Sequence, residues 1–207
     1  VMVGGSGLYT KSITEGLDDF PDIDPSIREK LNETLKTEGI DALQKRLYIL
    51  DPEYYKTADI QNPHRVIRAL EVCLATGKPY SQFLNRNKKQ RGFKVINIGL
   101  TADRELIYNR INTRVDLMMK AGLLEEAREL YPKKHLNALN TVGYKELFAY
   151  LDHETTLENA IAEIKKNTRR FAKRQLTWFR KNPEIDWFPY DTKASEIIRQ
   201  IESKINS

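Results

Sequence analysis

Cysteine occurs once in the 207 residues, at Cys73, which excludes an internal disulfide and a thiolate zinc site. The 3 histidines, His64, His135 and His153, are scattered, so no histidine-based metal site is expected. No apolar run approaches the roughly 18 residues of a membrane span, so no membrane partner is expected. With 40% hydrophobic and 30% charged residues the chain is too apolar for a disordered one and fits a soluble globular protein. No Gly-Lys-Ser/Thr phosphate loop occurs anywhere. Nor is there an initiator Met: the chain opens Val1-Met2-Val3-Gly4-Gly5, an apolar strand pattern running into a glycine turn. The expectation is the C-terminal part of a longer protein, cut inside or just before a strand, with any targeting signal upstream.

What is present is a concentrated positive charge. The formal net charge is +5, and eight basic residues without an acid lie between Lys165 and Lys181: Lys165, Lys166, Arg169, Arg170, Lys173, Arg174, Arg180 and Lys181. Without them 26 basic and 29 acidic residues remain, a body of −3. At a helical 100° per residue, Ile161, Ile164, Phe171, Ala172, Trp178 and Phe179 fall on one arc. Arg170, Lys173, Arg174, Arg180 and Lys181 fall opposite, predicting an apolar face docked on the body and a cationic face outward. Like charges so concentrated repel one another unless a polyanion lies opposite, which points to nucleic acid ahead of a solvated face. The apolar arc argues against a membrane surface.

The pattern along the chain predicts α/β architecture, mostly helical. After Val1–Val3, a short helix from about Leu8 to Glu15 stops at Gly16, with Ser6 as a plausible N-cap. An acidic, proline-punctuated linker (18–25) precedes helices over Ser26–Lys36, Ile40–Ile49 and Pro63–Thr76, and a polar linker covers 85–92. Phe93–Leu100 reads as a buried parallel strand. Helices follow to about Lys120, over Leu123–Tyr131, 143–151, 156–181 and 194–205, with an edge strand at Trp187–Tyr190. This gives a core of 1–20 and 93–207 interrupted by a helical insertion, 21–92. Three visible strands are too few for a free-standing doubly wound sheet, so further strands are expected upstream.

Three constellations carry chemistry. Gly4-Gly5-Ser6-Gly7-Leu8-Tyr9 is either a ligand-facing loop before a helix N-terminus or a capped turn. Arg110 and Arg114 share a helix face and could clamp a diphosphate; from spacing alone, surface ion pairs are the better reading. Lys173-Arg174-Gln175-Leu176-Thr177-Trp178-Phe179-Arg180 combines charge, hydrogen bonding and aromatic surface, with Trp178 and Phe179 expected in the core.

In this order, these segments resemble the tRNA dimethylallyltransferase (tRNA isopentenyltransferase) family along nearly the whole chain. Gly4–Tyr9 is similar to that family's Gly-Gly-Thr-Gly-Leu-Tyr. Arg65–Val72 with Thr76-Gly77-Lys78, Arg110–Arg114 with Met118 and Gly122, Val142–Glu146, and Thr168–Arg180 complete the match.

The resemblance implies an incomplete P-loop-kinase-like parallel-sheet core with a helical insertion domain. It implies transfer of a dimethylallyl group from dimethylallyl diphosphate to N6 of the adenine next to the tRNA anticodon. That chemistry needs a flipped-out base, removal of an amine proton and stabilisation of the leaving diphosphate. Mg²⁺ and nucleotide binding are implied too, held mainly by an upstream segment with the phosphate loop and a general-base Asp. The chain alone is therefore expected to be inactive, and the whole protein to be cytoplasmic and monomeric. By resemblance Ser6 stands where the family has a catalytic Thr, and Arg114 at the diphosphate-stabilising Arg. Contacts to the anticodon stem-loop fall on Arg28; on His64, Arg65, Val66, Ile67 and Arg68; on Asn140, Thr141, Val142, Gly143, Tyr144 and Lys145; and on Lys173–Arg180. Asn62-Pro63 departs from a common Asn-Asp. Two other readings are a non-catalytic RNA-binding fragment and an adenine-nucleotide isopentenyltransferase; the insertion and the cationic helix argue against the latter.

Overall fold

The computed structural model describes residues 1–84 and 91–206. They form two compact units, Val1–Gly7 with Lys94–Ser207, and Leu8–Phe93. Only the first seven residues, not the first twenty, fall with the C-terminal part. Phe20 explains this: its ring stacks on Tyr80 at 5.3 Å and lies 6.1 Å from Phe83, inside the helical unit.

The helical unit is punctuated by one recurring device, an Asp or Asn cap followed by proline. Helix α1 (Gly7–Thr14) leads in. Helix α2 (Pro25–Glu38) is capped by Asp24, whose carboxylate accepts the Ser26 amide at 2.9 Å. After α3 (Ile40–Leu50), α4 (Pro52–Thr57) is capped by Asp51 and α5 (Pro63–Thr76) by Asn62. The side chain satisfies an orphan amide, and proline at the first helical position lacks the N–H that would have none. Gly77 ends α5 at φ +67, a conformation glycine adopts without strain. Leu31, Leu43, Leu47, Val66, Ala69 and Leu70 are buried between α2, α3 and α5. Each large aliphatic there contributes about 1.5–3 kcal/mol. At six residues, α4 is too short for periodicity to reveal it.

In the other unit, β1 (Asn97–Thr101) and β2 (Ile185–Pro189) pair in parallel, Asn97 opposite Ile185 and Thr101 opposite Pro189. Helices α6 (Arg104–Lys120), α7 (Leu123–Leu130), α8 (Tyr144–Leu151) and α9 (Leu157–Phe179) lie between them in sequence, and α10 (Ala194–Ile205) follows. Val115, Leu124, Ala127, Leu147, Phe148, Ala160 and Ile164 form the core of α6–α9. Gly99 is required by close approach: a Cβ there would come within 2.7 Å of the Trp187 ring.

Three expectations are corrected, and a fourth falls mostly outside the described residues. Val1–Val3 is neither strand nor buried, because a strand exists only through a ladder and β1 and β2 pair with each other. The strand expected from Phe93 begins at Asn97, leaving Phe93 and Val95 exposed. Of the linker expected over 85–92, residues 85–90 lie outside the described residues. The apolar arc of α9 is buried only in its first half: Ile164 is 2% exposed, whereas Phe171 is 46% and Trp178 49% exposed.

Candidate functional site

The glycine loop at Gly4–Gly7 lies on the second half of α9. Gln175 Nε2 donates to the Gly5 carbonyl at 2.7 Å. A Cβ on Gly5 would overlap the Gln175 amide, and one on Gly7 would overlap the Trp178 indole. At Gly7 the bulky ring leaves room for glycine alone, whereas at Gly5 the overlapping group is the end of a flexible side chain; at both the backbone rests directly on side chains of α9. Ser6 sits between these two contacts, immediately before the first residue of α1.

The eight cations of α9 and its end divide sharply. Lys165 pairs with Asp116 of α6 at 2.5 Å, and Lys166 pairs with Glu163. Arg169 donates to Asn112 Oδ1 at 2.7 Å and lies over the Tyr108 ring. Arg170 donates to Asn167 at 3.3 Å. Lys173, Arg174, Arg180 and Lys181 are exposed, and none joins an ion pair among the described residues. Lys173, Arg174, Thr177, Trp178 and Lys181 line an open hollow of about 220 Å³. Trp178, expected in the core, is half exposed; Phe179 is half-buried. Leu176 is half-buried too.

Arg114 is exposed on α6, two residues beyond the Asn112 that Arg169 holds. No ion pair among the described residues includes Arg110 or Arg114; Arg110 lies over the Tyr190 ring at 5.4 Å instead. The ion-pair explanation that spacing favoured for the two arginines is therefore overturned.

The segment Asn140–Lys145 is fixed by Glu146. Its Oε2 accepts the Gly143 amide at 2.8 Å, capping α8, while its Oε1 accepts Asn167 Nδ2 of α9 at 2.8 Å. Gly143 is buried at φ +108, which suits glycine alone; Asn140, Thr141, Val142 and Lys145 are exposed. Tyr144 is half-buried and donates to Glu126, a bond that raises its phenol pKa. Asn140 and Lys145 border a cleft of about 670 Å³ also lined by His135, Asn137 and Asn167.

In the helical unit the matched residues part company. His64 and Arg65 are exposed on the first turn of α5. Val66 and Ile67 are buried in the core and present no side chain to a ligand. Arg28 and Arg68 both turn to Glu71, which is 2% exposed: Arg28 embraces it with Nε and, at 2.9 Å, Nη2, while Arg68 Nη1 lies 3.5 Å away. The hydrogen bond to Glu71 raises the Arg28 pKa. Arg68 also covers the Phe20 ring at 4.8 Å. Burial pushes up the Cys73 thiol pKa, as fits a core residue.

Sequence reasoning missed Asp51, Glu71 and Glu146. Asp51 is buried and accepts the Tyr54 amide, the Ser81 amide and the Ser81 hydroxyl, at 2.9, 2.6 and 2.9 Å. Proline after Asp51, as after Asp24, was the available signal; Glu71 and Glu146 lie inside the matched segments, but nothing local pointed to their partners Arg28 and Asn167.

The Mg²⁺ implied by the resemblance is expected to be held mainly by an upstream segment, with one or two carboxylates and the substrate's phosphates as its usual ligands. No group of three or more His, Cys, Asp and Glu side chains gathers among the described residues. Among the described residues, no helix is long and apolar enough to cross a membrane.

Parallel strands, helices between them and a separate helical unit are the architecture of prenyl-transferring enzymes with a P-loop-kinase-like core. A full-length tRNA isopentenylpyrophosphate transferase from Bacillus halodurans matches 97% of this chain and 63% of its own, at 37% identity and a TM-score of 0.56. A eukaryotic dimethylallyltransferase acting on tRNA matches 98% of this chain and 55% of its own, at 25% identity and a TM-score of 0.70. The chain belongs to the IPP transferase family, whose model matches residues 1–182. The tRNA dimethylallyltransferase of Christiangramia forsetii is 70% identical over all of this chain and 68% of its own length. That of Flavobacterium johnsoniae is 54% identical over all of this chain and 69% of its own.

Proposed function

We propose that the protein containing this chain transfers a dimethylallyl group from dimethylallyl diphosphate to N6 of the adenine next to a tRNA anticodon. One observation carries the reading, in a chain of this family. A hydroxyl-bearing glycine loop rests on a helix whose outer cations, Lys173, Arg174, Arg180 and Lys181, find no acid among the described residues. Unpaired cations beside an exposed Trp suit an RNA strand, whose phosphates take the charge and whose bases stack.

In this reading the second half of α9 holds the anticodon stem and Asn140–Lys145 supports the loop nucleotides. The exposed His64 and Arg65 extend the contact, with Val66 and Ile67 anchoring them from beneath. Arg28 and Arg68 serve RNA only through what their pairing with Glu71 leaves over. The Ser6 hydroxyl lies between acceptor amine and leaving diphosphate, and Arg114 offers a guanidinium fork where diphosphate charge develops. The protein works as a cytoplasmic monomer.

The chain spans about two-thirds of its curated relatives and carries no Gly-Lys-Ser/Thr loop. The general base and diphosphate cradle are therefore supplied by further sequence, and the 207 residues alone bind tRNA without prenylating it. The test compares the full-length gene product with this chain, using an anticodon stem-loop and labelled dimethylallyl diphosphate. Transfer by the full-length protein alone is expected. No transfer by it sinks the function; transfer by the chain alone sinks the division of labour.

A further inference from the structure

We infer that Gln175 is a positioning residue for the Ser6 hydroxyl: its side chain acts on the glycine loop and not on the RNA. The inference rests on the proposed prenyl transfer and gives Gln175 a different task from its neighbours in the cationic run. Its amide donates to the Gly5 carbonyl at 2.7 Å across 170 residues of sequence. The side chain is half-buried, whereas Lys173, Arg174 and Thr177 around it are exposed. Three residues on, one helical turn along the same face, the Trp178 ring occupies the space a Cβ of Gly7 would take. Ser6 is thus bracketed: Gln175 fixes the carbonyl before it and Trp178 backs the residue after it.

The consequence is a rigid link. Lys173 and Arg174 face outward and Gln175 faces the loop, all within one turn of α9. RNA seated on the cations is thereby set in register with the Ser6 hydroxyl, as a reaction dependent on sub-ångström placement requires. A donor is essential, because the Gly5 carbonyl can only accept. Gln175→Glu keeps the shape and replaces the donor with a carboxylate facing a carbonyl oxygen.

The experiment measures single-turnover transfer and tRNA affinity in the full-length gene product, and hydrogen exchange of the peptide covering residues 1–12. Gln175→Glu is expected to slow the single-turnover step roughly tenfold to a hundredfold, the rate equivalent of one hydrogen bond lost with its acceptor stranded. The tRNA dissociation constant should stay within about twofold. A carboxylate held against a carbonyl has a raised pKa, and its protonated form regains a donor. The deficit relative to wild type should therefore shrink between about pH 8 and about pH 5.5. Exchange at Ser6–Leu8 should accelerate. Lys173→Ala should show the converse pattern in binding and exchange: weakened tRNA binding with unaltered exchange of the loop peptide.

An unchanged single-turnover rate in Gln175→Glu, a loss confined to tRNA affinity, a pH-independent deficit or unaltered loop exchange each overturns the assignment. Failure of the wild-type protein to prenylate tRNA would instead refute the functional reading, and the exchange measurement would still decide whether Gln175 holds the loop.

Discussion

The two halves of α9 carry the same kind of residues and end in opposite situations. In the first half Ala160 and Ile164 are buried, Lys165 and Lys166 meet acids, and Arg169 is held by Asn112. In the second half no side chain is fully buried, Phe171 and Trp178 are about half exposed, and the cations meet no acid among the described residues. One charge run therefore performs two tasks. A cation whose charge is answered inside the protein contributes to the fold; one left unanswered raises the local potential and awaits an anion. Net charge alone does not separate the two, and pairing does.

The strongest way to break this comparison is to strike the first half. Ile164→Ala removes a side chain that is 2% exposed in the α6–α9 core. It should cost about 2–4 kcal/mol of stability in a denaturant titration. Below the unfolding transition, tRNA affinity should change less than twofold. A selective loss of affinity at full folding would show that the halves are not separable.

Striking the second half should do the reverse. Lys173→Glu with Arg174→Glu should weaken anticodon stem-loop binding about a hundredfold at low salt and flatten the salt slope by about two. Both side chains are exposed, so stability should move by no more than about 0.5 kcal/mol. Intact affinity would refute the assignment of this surface to RNA.

Arg28 sharpens the comparison in the helical unit, because its matched role is RNA contact while its visible partner is Glu71. Arg28→Ala should cost about 1–2 kcal/mol in a denaturant titration. The lost bonds serve a buried carboxylate, but Glu71 keeps Arg68 and Arg28 is itself half in water. A fall in tRNA affinity larger than the fall in stability would return Arg28 to the RNA surface.

These residues also mark how far the sequence could be read. Helices α2, α3, α5, α6 and α9 were legible because periodicity, Asx-Pro starts and glycine stops are local signals. The cationic run was legible as a helix face for the same reason. Pairing was not: Glu71 lies 43 residues from Arg28, Asn112 lies 57 from Arg169, and Gln175 lies 170 from Gly5. Nothing in a spacing reveals which cation another element will neutralise. That is why Arg28 and Arg174 looked alike, and why Arg110 and Arg114 were assigned acids that they do not meet among the described residues. Trp178 was misplaced because an aromatic on a helix face implies burial only where another element covers that face, and at that turn the cover is a glycine loop.

The smallest change asks what keeps the first half off the RNA. Two explanations are available for Lys165: its acid neutralises it, or its position hides it. The ion pair with Asp116 is 2.5 Å long, with Lys165 23% and Asp116 50% exposed. An ion pair so open to water contributes roughly 0–1 kcal/mol, so Asp116→Asn should shift the unfolding midpoint only slightly. If neutralisation is what matters, the same substitution releases a cation next to the RNA surface, raising stem-loop affinity several-fold and steepening the salt slope by about one. If position is what matters, both stay unaltered, because a lysine three-quarters buried between α6 and α9 cannot reach a phosphate whatever its partner. The burial of Lys165 favours the second outcome, and the expected change in affinity is less than twofold. A steeper slope would mean that acids alone draw the boundary between the halves, and that α9 is a single RNA-binding face partly masked by its neighbour.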